Sequence, residues 1–244
     1  MTAPRRLGVL GGTFDPIHVG HLQLGAAVER AVSLSGVAIV PAHIPPHRPQ
    51  PLASGFHRFA MAAMAVAGRP GWRVCDLELL QSTRSYTSVT LERLHADGYE
   101  PAELFFITGA DAFTEISTWR DYPRLLDLAH FAVVSRPGCA VTDLPARMPR
   151  LAGRMVRSGD GSIEGAAGDP LAARTRILLI DAVTADVSST IIRRRAATGE
   201  SIAGLVHPSV LTHIEQHRLY VPTGQHHGHA HSSRSLADKL HGQS

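Results

Sequence analysis

Residues 7–22 constrain this chain more than any other stretch: Leu-Gly-Val-Leu-Gly-Gly-Thr-Phe-Asp-Pro-Ile-His-Val-Gly-His-Leu. The opening apolar run predicts a buried strand. Gly11 and Gly12 end it in a tight turn, where a missing Cβ lets backbone amides crowd against a bulky anion. Leu22, Leu24, Ala27, Val28 and Ala31 then follow in a helical apolar pattern. If that helix begins near His18 and His21, the two imidazoles share one face of its first turn. An amino-terminal helical turn already favours an anion through its free amides and its dipole. The imidazoles add directed donors, and the stretch reads as a triphosphate site. It is neither standard phosphate loop: Gly11 and Gly12 do not supply the dinucleotide pattern, and no Lys precedes a Ser or Thr. The competing reading is a buried turn with two satisfied histidines; their spacing after a strand and a Gly-Gly turn weighs against it.

The rest of the chain alternates strand and helix. Strands are predicted at residues 37–40, 72–77, 103–108, 131–134 and 176–180. Helices are predicted at 56–67, after Thr87 through Val89, Leu91 and Leu94, at 122–128, after Ser188, and from His207 through Ile214. Ser85 or Thr87 is the expected cap of the second of these. Right-handed crossovers then give an α/β fold, a Rossmann-like doubly wound parallel sheet with helices on both faces. Residues 41–49 are proline-rich and read either as a rigid surface connection or as a substrate loop whose stiff backbone presents His47 and Arg48. Asp111 follows a strand and a glycine, where a carboxylate can either cap a helix or accept hydrogen bonds from ribose hydroxyls. Residues 1–221 read as one domain with a flexible insertion at about 138–175, containing one helical piece over 144–155. Residues 222–244 are rich in His, Ser and Gly and are expected to be disordered.

Composition narrows the class. Hydrophobic residues make up 44% and charged residues 18%, ordinary for a water-soluble globular chain. A net charge of +3 and no basic stripe with interleaved aromatics argue against nucleic acid. Cys75 and Cys139 stand outside any CxxC pair, and no signal-peptide core or membrane-length apolar run occurs. A cytoplasmic location is expected, with no membrane partner; a homo-oligomer stays open.

A second phosphate element lies far along the chain. Ser188-Ser189-Thr190 at a helix start is a common capping run. Arg193, three residues past Thr190, can share its helix face and aim a planar fork at phosphate oxygens. Two helix amino ends, one with His18 and His21 and one with Ser189, Thr190 and Arg193, then clamp a triphosphate from two sides. No nucleophile set and no metal-ligand cluster is apparent. Phosphoryl-type transfer needs mainly positioning and charge stabilisation, which His18, His21 and Arg193 supply. Mg2+ rides on the phosphates of the substrate.

The motifs Gly-Gly-Thr-Phe-Asp-Pro-Ile-His-Val-Gly-His, Pro45-Pro46-His47-Arg48, Arg84-Ser85-Tyr86-Thr87, Gly109-Ala110-Asp111-Ala112, Trp119, Arg136-Pro137-Gly138 and Ser188-Ser189-Thr190-Ile191-Ile192-Arg193 occur in that order. Together they resemble the HxGH nucleotidyltransferase superfamily and, within it, the bacterial nicotinate mononucleotide adenylyltransferase family. The resemblance covers residues 6–221. It implies transfer of the adenylyl group of ATP to nicotinate mononucleotide, in NAD biosynthesis. It implies that Gly12, Thr13, Phe14, His18, His21, Asp111, Ser189, Thr190 and Arg193 contact ATP. It also implies that Arg48, Tyr86, Thr87, Trp119 and Arg136 surround the pyridine nucleotide, with Trp119 stacked on its ring. Arg48 stands where the family often has Lys, and the insertion and tail carry no family role. Pantetheine-phosphate or cytidylyl specificity on the same fold, or a nucleotide sensor without turnover, are the rival expectations.

Overall fold

The computed structural model describes residues 5–45, 50–81, 83–158 and 174–222. In chain order its elements are β1 (Leu7–Gly12), α1 (Val19–Val32), β2 (Gly36–Pro41), α2 (Gly55–Val66), β3 (Trp72–Val74), α3 (Thr87–Ala96), β4 (Leu104–Gly109), α4 (Ala110–Phe113), β5 (His130–Val134), α5 (Leu144–Arg147), β6 (Met155–Arg157), β7 (Ile177–Ile180), α6 (Ser189–Thr198) and α7 (Pro208–Gln216). The strands form one seven-stranded sheet in the order β3-β2-β1-β4-β5-β7-β6. Every strand pair is parallel.

A parallel sheet covered on both faces needs strands that are apolar on both sides. Alternate side chains here feed two separate cores. Val37, Ile39, Phe105, Ile107 and Ala132 pack with Val28, Met61, Ile192 and Val210 under α1, α2, α6 and α7. Ala38, Val40, Leu104, Phe106 and Val133 pack with Leu91, Leu94, Phe113 and Leu144 under α3, α4 and α5. The doubly wound sheet predicted from the alternation is the observed one. Gly25 on α1 leaves room for the Trp72 ring, whose Nε1–H donates to Glu29 Oε1 at 2.9 Å.

Strand order decides where a ligand fits. β1 lies beside β4, with Val9 opposite Phe106. From β1 the chain winds outward through β2 and β3; from β4 it winds the other way. This reversal opens a crevice beyond the carboxyl ends of β1 and β4. The glycines that end both strands, Gly11, Gly12 and Gly109, border it.

Several predicted elements differ in detail. β3 stops at Val74, because the Asp76 carbonyl accepts from the Leu79 and Leu80 amides and turns the chain. The helix predicted at 122–128 is a 3-10 turn over Arg124–Asp127 that follows Pro123. The helical piece expected at 144–155 is cut to α5, with Pro149 and Gly153 beyond it and a second 3-10 turn at Ala152–Arg154. Met155 then pairs with Ile177, so β6 becomes an edge of the sheet. The first part of the expected insertion is therefore built into the fold. Arg48 and His47, the part of the insertion over 159–173 and the tail beyond Pro222 lie outside the described residues.

Candidate active site

The loop between β1 and α1 is fixed from beneath. A Cβ on Gly12 would stand 2.9 Å from the Phe14 ring. Phe14 has a φ of 50° and a buried ring that meets His21 edge-on at 5.0 Å, so Phe14 offers a ligand only its main chain. The buried Arg58 guanidinium donates to the carbonyls of Thr13 at 2.7 Å, Ala42 at 2.6 Å and Ala53 at 3.2 Å. The buried Asp15 carboxylate accepts from the Leu52 amide at 2.8 Å, the Ala53 amide at 3.1 Å and the Tyr220 hydroxyl at 2.9 Å. Burial works against the charge on Arg58, and Asp15 nearby supports it. Burial, then Asp15, pushes the Tyr220 hydroxyl far above its ordinary range, which keeps it a donor.

His18 is the N-cap of α1 and His21 lies in the first turn. The His18 amide donates to His21 Nδ1 at 3.2 Å, and the rings stack at 3.7 Å with 24° between planes. The two imidazoles are thus neighbours at the start of α1, as their spacing predicts. Among the described residues His18 Nδ1 and Arg136 Nη1 are buried without a hydrogen-bond partner. Both border Gly20, where a Cβ would stand 3.2 Å from the imidazole nitrogen and 3.3 Å from the guanidinium. Burial, and after it Arg136, lowers the His18 pKa to about 3, so the ring is neutral. Unpartnered buried polar atoms carry a cost that a suitably placed anion relieves. Arg136, just past β5, also runs beside Gly109: a Cβ there would stand 2.9 Å from Arg136 Cγ and overlap Asp111 Oδ1. Arg136 therefore bridges the neighbourhoods of His18 and Asp111.

The amino end of α6 closes on the same loop. Ser188 caps it by accepting from the Ile191 amide at 3.3 Å. Ser189 Oγ donates to the Pro16 carbonyl at 2.9 Å. Arg193 donates to the Asp15 carbonyl at 2.8 Å and to Thr190 Oγ1 at 3.3 Å. Two segments more than 170 residues apart thus meet at Asp15 and Pro16, in the loop that runs into His18.

A third helix end, that of α3, is tied to the chain after β2 and to residues 120–121. Neither Ser85 nor Thr87 caps α3, contrary to the sequence reading; Tyr86 occupies the N-cap without a side-chain cap bond. Ser85 Oγ instead accepts from the His43 amide at 2.8 Å, which ties this end to the chain after β2. Thr87 is already inside the helix. Ser88 Oγ donates to Asp121 Oδ2 at 2.6 Å, and the Arg120 guanidinium lies 4.6 Å from the centre of the Tyr86 ring. These contacts bring Tyr86 and Thr87 to the segment carrying Trp119. The half-buried Trp119 meets Phe106 edge-on at 5.9 Å, and the Phe106 ring packs at the Gly11 position. A hollow of about 430 Å3 between α1 and β7, bordered by Arg30, Arg157 and Asp181, holds none of these residues.

A family model described as cytidylyltransferase-like matches residues 9–195. The chain belongs to the cytidylyltransferase-like family. It is 38% identical over 217 residues to a Shewanella baltica protein named "Probable nicotinate-nucleotide adenylyltransferase", covering 89% of this chain and all of that one. A Cronobacter sakazakii protein of the same name is 41% identical over 215 residues, covering 87% of this chain and 94% of that one. In fold it is similar to a Plasmodium falciparum nicotinic acid mononucleotide adenylyltransferase complexed with NaAD. That likeness has a TM-score of 0.62 and 16% identity, over 88% of this chain and 97% of the other.

The sequence reading of this family member missed the residues that hold the site in place. Asp15 sat in plain view inside the first motif, but its amide and hydroxyl partners come from residues 52, 53 and 220. The available signal for Arg58 was a lone cation among apolar residues of α2; a buried Arg is rare unless it is paired.

Proposed function

We infer that this protein is a nicotinate-nucleotide adenylyltransferase, which joins the adenylyl group of ATP to nicotinate mononucleotide and releases pyrophosphate. The observation that carries this reading is the junction of α1 and α6 over residues 15–18, where Ser189 and Arg193 bond the loop that ends in His18. Gly12, the main chain of Thr13 and Phe14, His18, His21, Ser189, Thr190 and Arg193 receive the triphosphate there. Asp111 receives the ribose. Tyr86, Thr87 and Trp119 receive the pyridine nucleotide, with the open amides of α3 suited to its ring carboxylate. Arg136, beside both His18 and Asp111, sits where the two nucleotides meet. Arg48 is assigned to the acceptor as well, on resemblance alone.

A phosphate oxygen of nicotinate mononucleotide attacks the α-phosphorus in line. The bond from that phosphorus to the bridging oxygen breaks, and pyrophosphate leaves with the electron pair. The attacking phosphate is already ionised, so no strong base is required. The neutral His18 ring and the His21 ring donate hydrogen bonds, and Arg193 supplies charge, as negative charge grows on the leaving oxygens. Mg2+ arrives on ATP, held by phosphate oxygens and water. We place the reaction in the cytoplasm, in keeping with the unpaired thiols of Cys75 and Cys139.

Pyrophosphate release with a panel of acceptors tests the reading. Turnover with ATP and nicotinate mononucleotide is expected. Turnover confined to pantetheine phosphate, or to CTP as donor, overturns the substrate assignment, and tight ATP binding without turnover overturns the enzyme.

A further inference from the structure

Away from the crevice, the fold assembles three imidazoles that no linear spacing reveals. His213 and His217 are four residues apart and share one side of α7 and its carboxyl end. His57 comes from the first turn of α2. The ring centres are 5.2 Å apart for His57 and His213, 4.9 Å for His57 and His217, and 4.4 Å for His213 and His217. One ring nitrogen from each lies within 4.8 Å of the others. His57 Nδ1 and His213 Nε2 are 3.0 Å apart. His213 is buried, His57 half-buried and His217 exposed.

We propose that His57, His213 and His217 form a binding site for a late first-row divalent cation of the zinc class, which cross-links α2 to α7. A hydrogen bond between His57 and His213 engages only two of the three rings. Three protonated imidazoles this close would repel one another. A zinc-class ion takes three neutral imidazole nitrogens at about 2.0–2.1 Å, which sets them about 3.3 Å apart in a tetrahedral site. The shortest separation here is already near that value, and small ring rotations bring in His217. Imidazole ligands select zinc, copper or nickel over magnesium and calcium. The exposed His217 leaves the fourth position to water.

The location gives the ion a task. His57 precedes Arg58, which holds the Thr13 carbonyl, and His217 lies three residues before Tyr220, which holds Asp15. A cation between α2 and α7 therefore braces both supports of the loop over residues 13–15. This proposal stands whether or not the adenylyl-transfer assignment does.

The test uses the full chain with the tail histidines at 226, 227, 229, 231 and 241 changed to Asn, so that they cannot compete for metal. Zn2+ is titrated by calorimetry, and Co2+ by the visible absorption of a tetrahedral site. One equivalent is expected to bind, with an intense Co2+ band and a higher Tm. His57→Gln and His217→Gln are each expected to weaken binding by at least about 100-fold, beyond the usual effect of an outer-shell partner. The Tm without metal and the rate of pyrophosphate release at saturating substrates should stay within about twofold and a few degrees of the parent. No saturable binding in the parent overturns the site and leaves a hydrogen-bonded cluster. A smaller loss in either variant overturns it too, by placing the ion elsewhere.

Discussion

Single side chains divide into those that meet the substrates and those that hold them. Arg193 is offered as a charge that matters most in the transition state. Arg193→Gln should lower kcat by about 100–1,000-fold with a much smaller change in the KM for ATP; steady-state pyrophosphate release checks this, and an unchanged kcat removes Arg193 from the mechanism. His18 makes a separate prediction about pH. Its pKa falls from 6.5 to about 3 on folding, by burial and then by Arg136. Between those values the unfolded chain binds a proton that the folded chain does not. The stability due to neutral His18 is complete above pH 6.5 and is lost progressively as the pH falls towards 3. Its slope is at most about 1.4 kcal/mol per pH unit. Urea unfolding of the wild type and His18→Asn across this range should show a flatter profile for the variant; identical slopes would rule His18 out as the source. Sequence spacing sufficed to pair His18 with His21, since residues three apart on a helix must be neighbours. It could not show that Arg136 joins them, because that contact runs between α1 and the end of β5.

The helices and strands act as mounts for three amino-terminal turns. α1 and α6 are locked to one loop through main-chain carbonyls, and that loop is locked in turn to α2 and the segment after α7. Tyr220→Phe removes one donor from the buried Asp15 carboxylate, which keeps its two amide partners. The cost should be about 1–3 kcal/mol in urea unfolding, together with a raised KM for ATP as the loop loosens. A full-strength variant would show that this strap is ornamental to the loop. α3 differs from α6 in its cap. The Ser188 hydroxyl serves its own helix, whereas Ser85 looks correct in sequence but is drawn to the His43 amide after β2. Local sequence proposes a cap; a competing long-range partner decides who receives it.

At the scale of the whole molecule, the proposed assignment sets the two nucleotides on either side of the β1–β4 reversal, so that each half of a dinucleotide would meet a different set of elements. On that assignment Trp119 serves the acceptor, while Trp72 is on the β3 edge with its indole bonded to Glu29. Nicotinate mononucleotide should therefore quench the fluorescence of one of the two tryptophans. Trp119→Phe should abolish the change and Trp72→Phe should retain it; the reverse result places the ring elsewhere. At equal concentrations the dinucleotide product should raise Tm more than either mononucleotide, and at a hundredfold excess over its Kd it should add about 2.7 kcal/mol of stability to the unliganded protein. The sequence by itself determined the alternation of strands and helices, the doubly wound class and the two helix-opening turns that carry the proposed phosphate site. Those properties depend on periodicity and on neighbours a few residues away. Only the tertiary structure decided the edge position of β6, the buried straps from Arg58 and Tyr220, and the meeting of His57 with His213 and His217. Each depends on which distant segments the sheet order brings within hydrogen-bonding reach, and no local pattern encodes that distance.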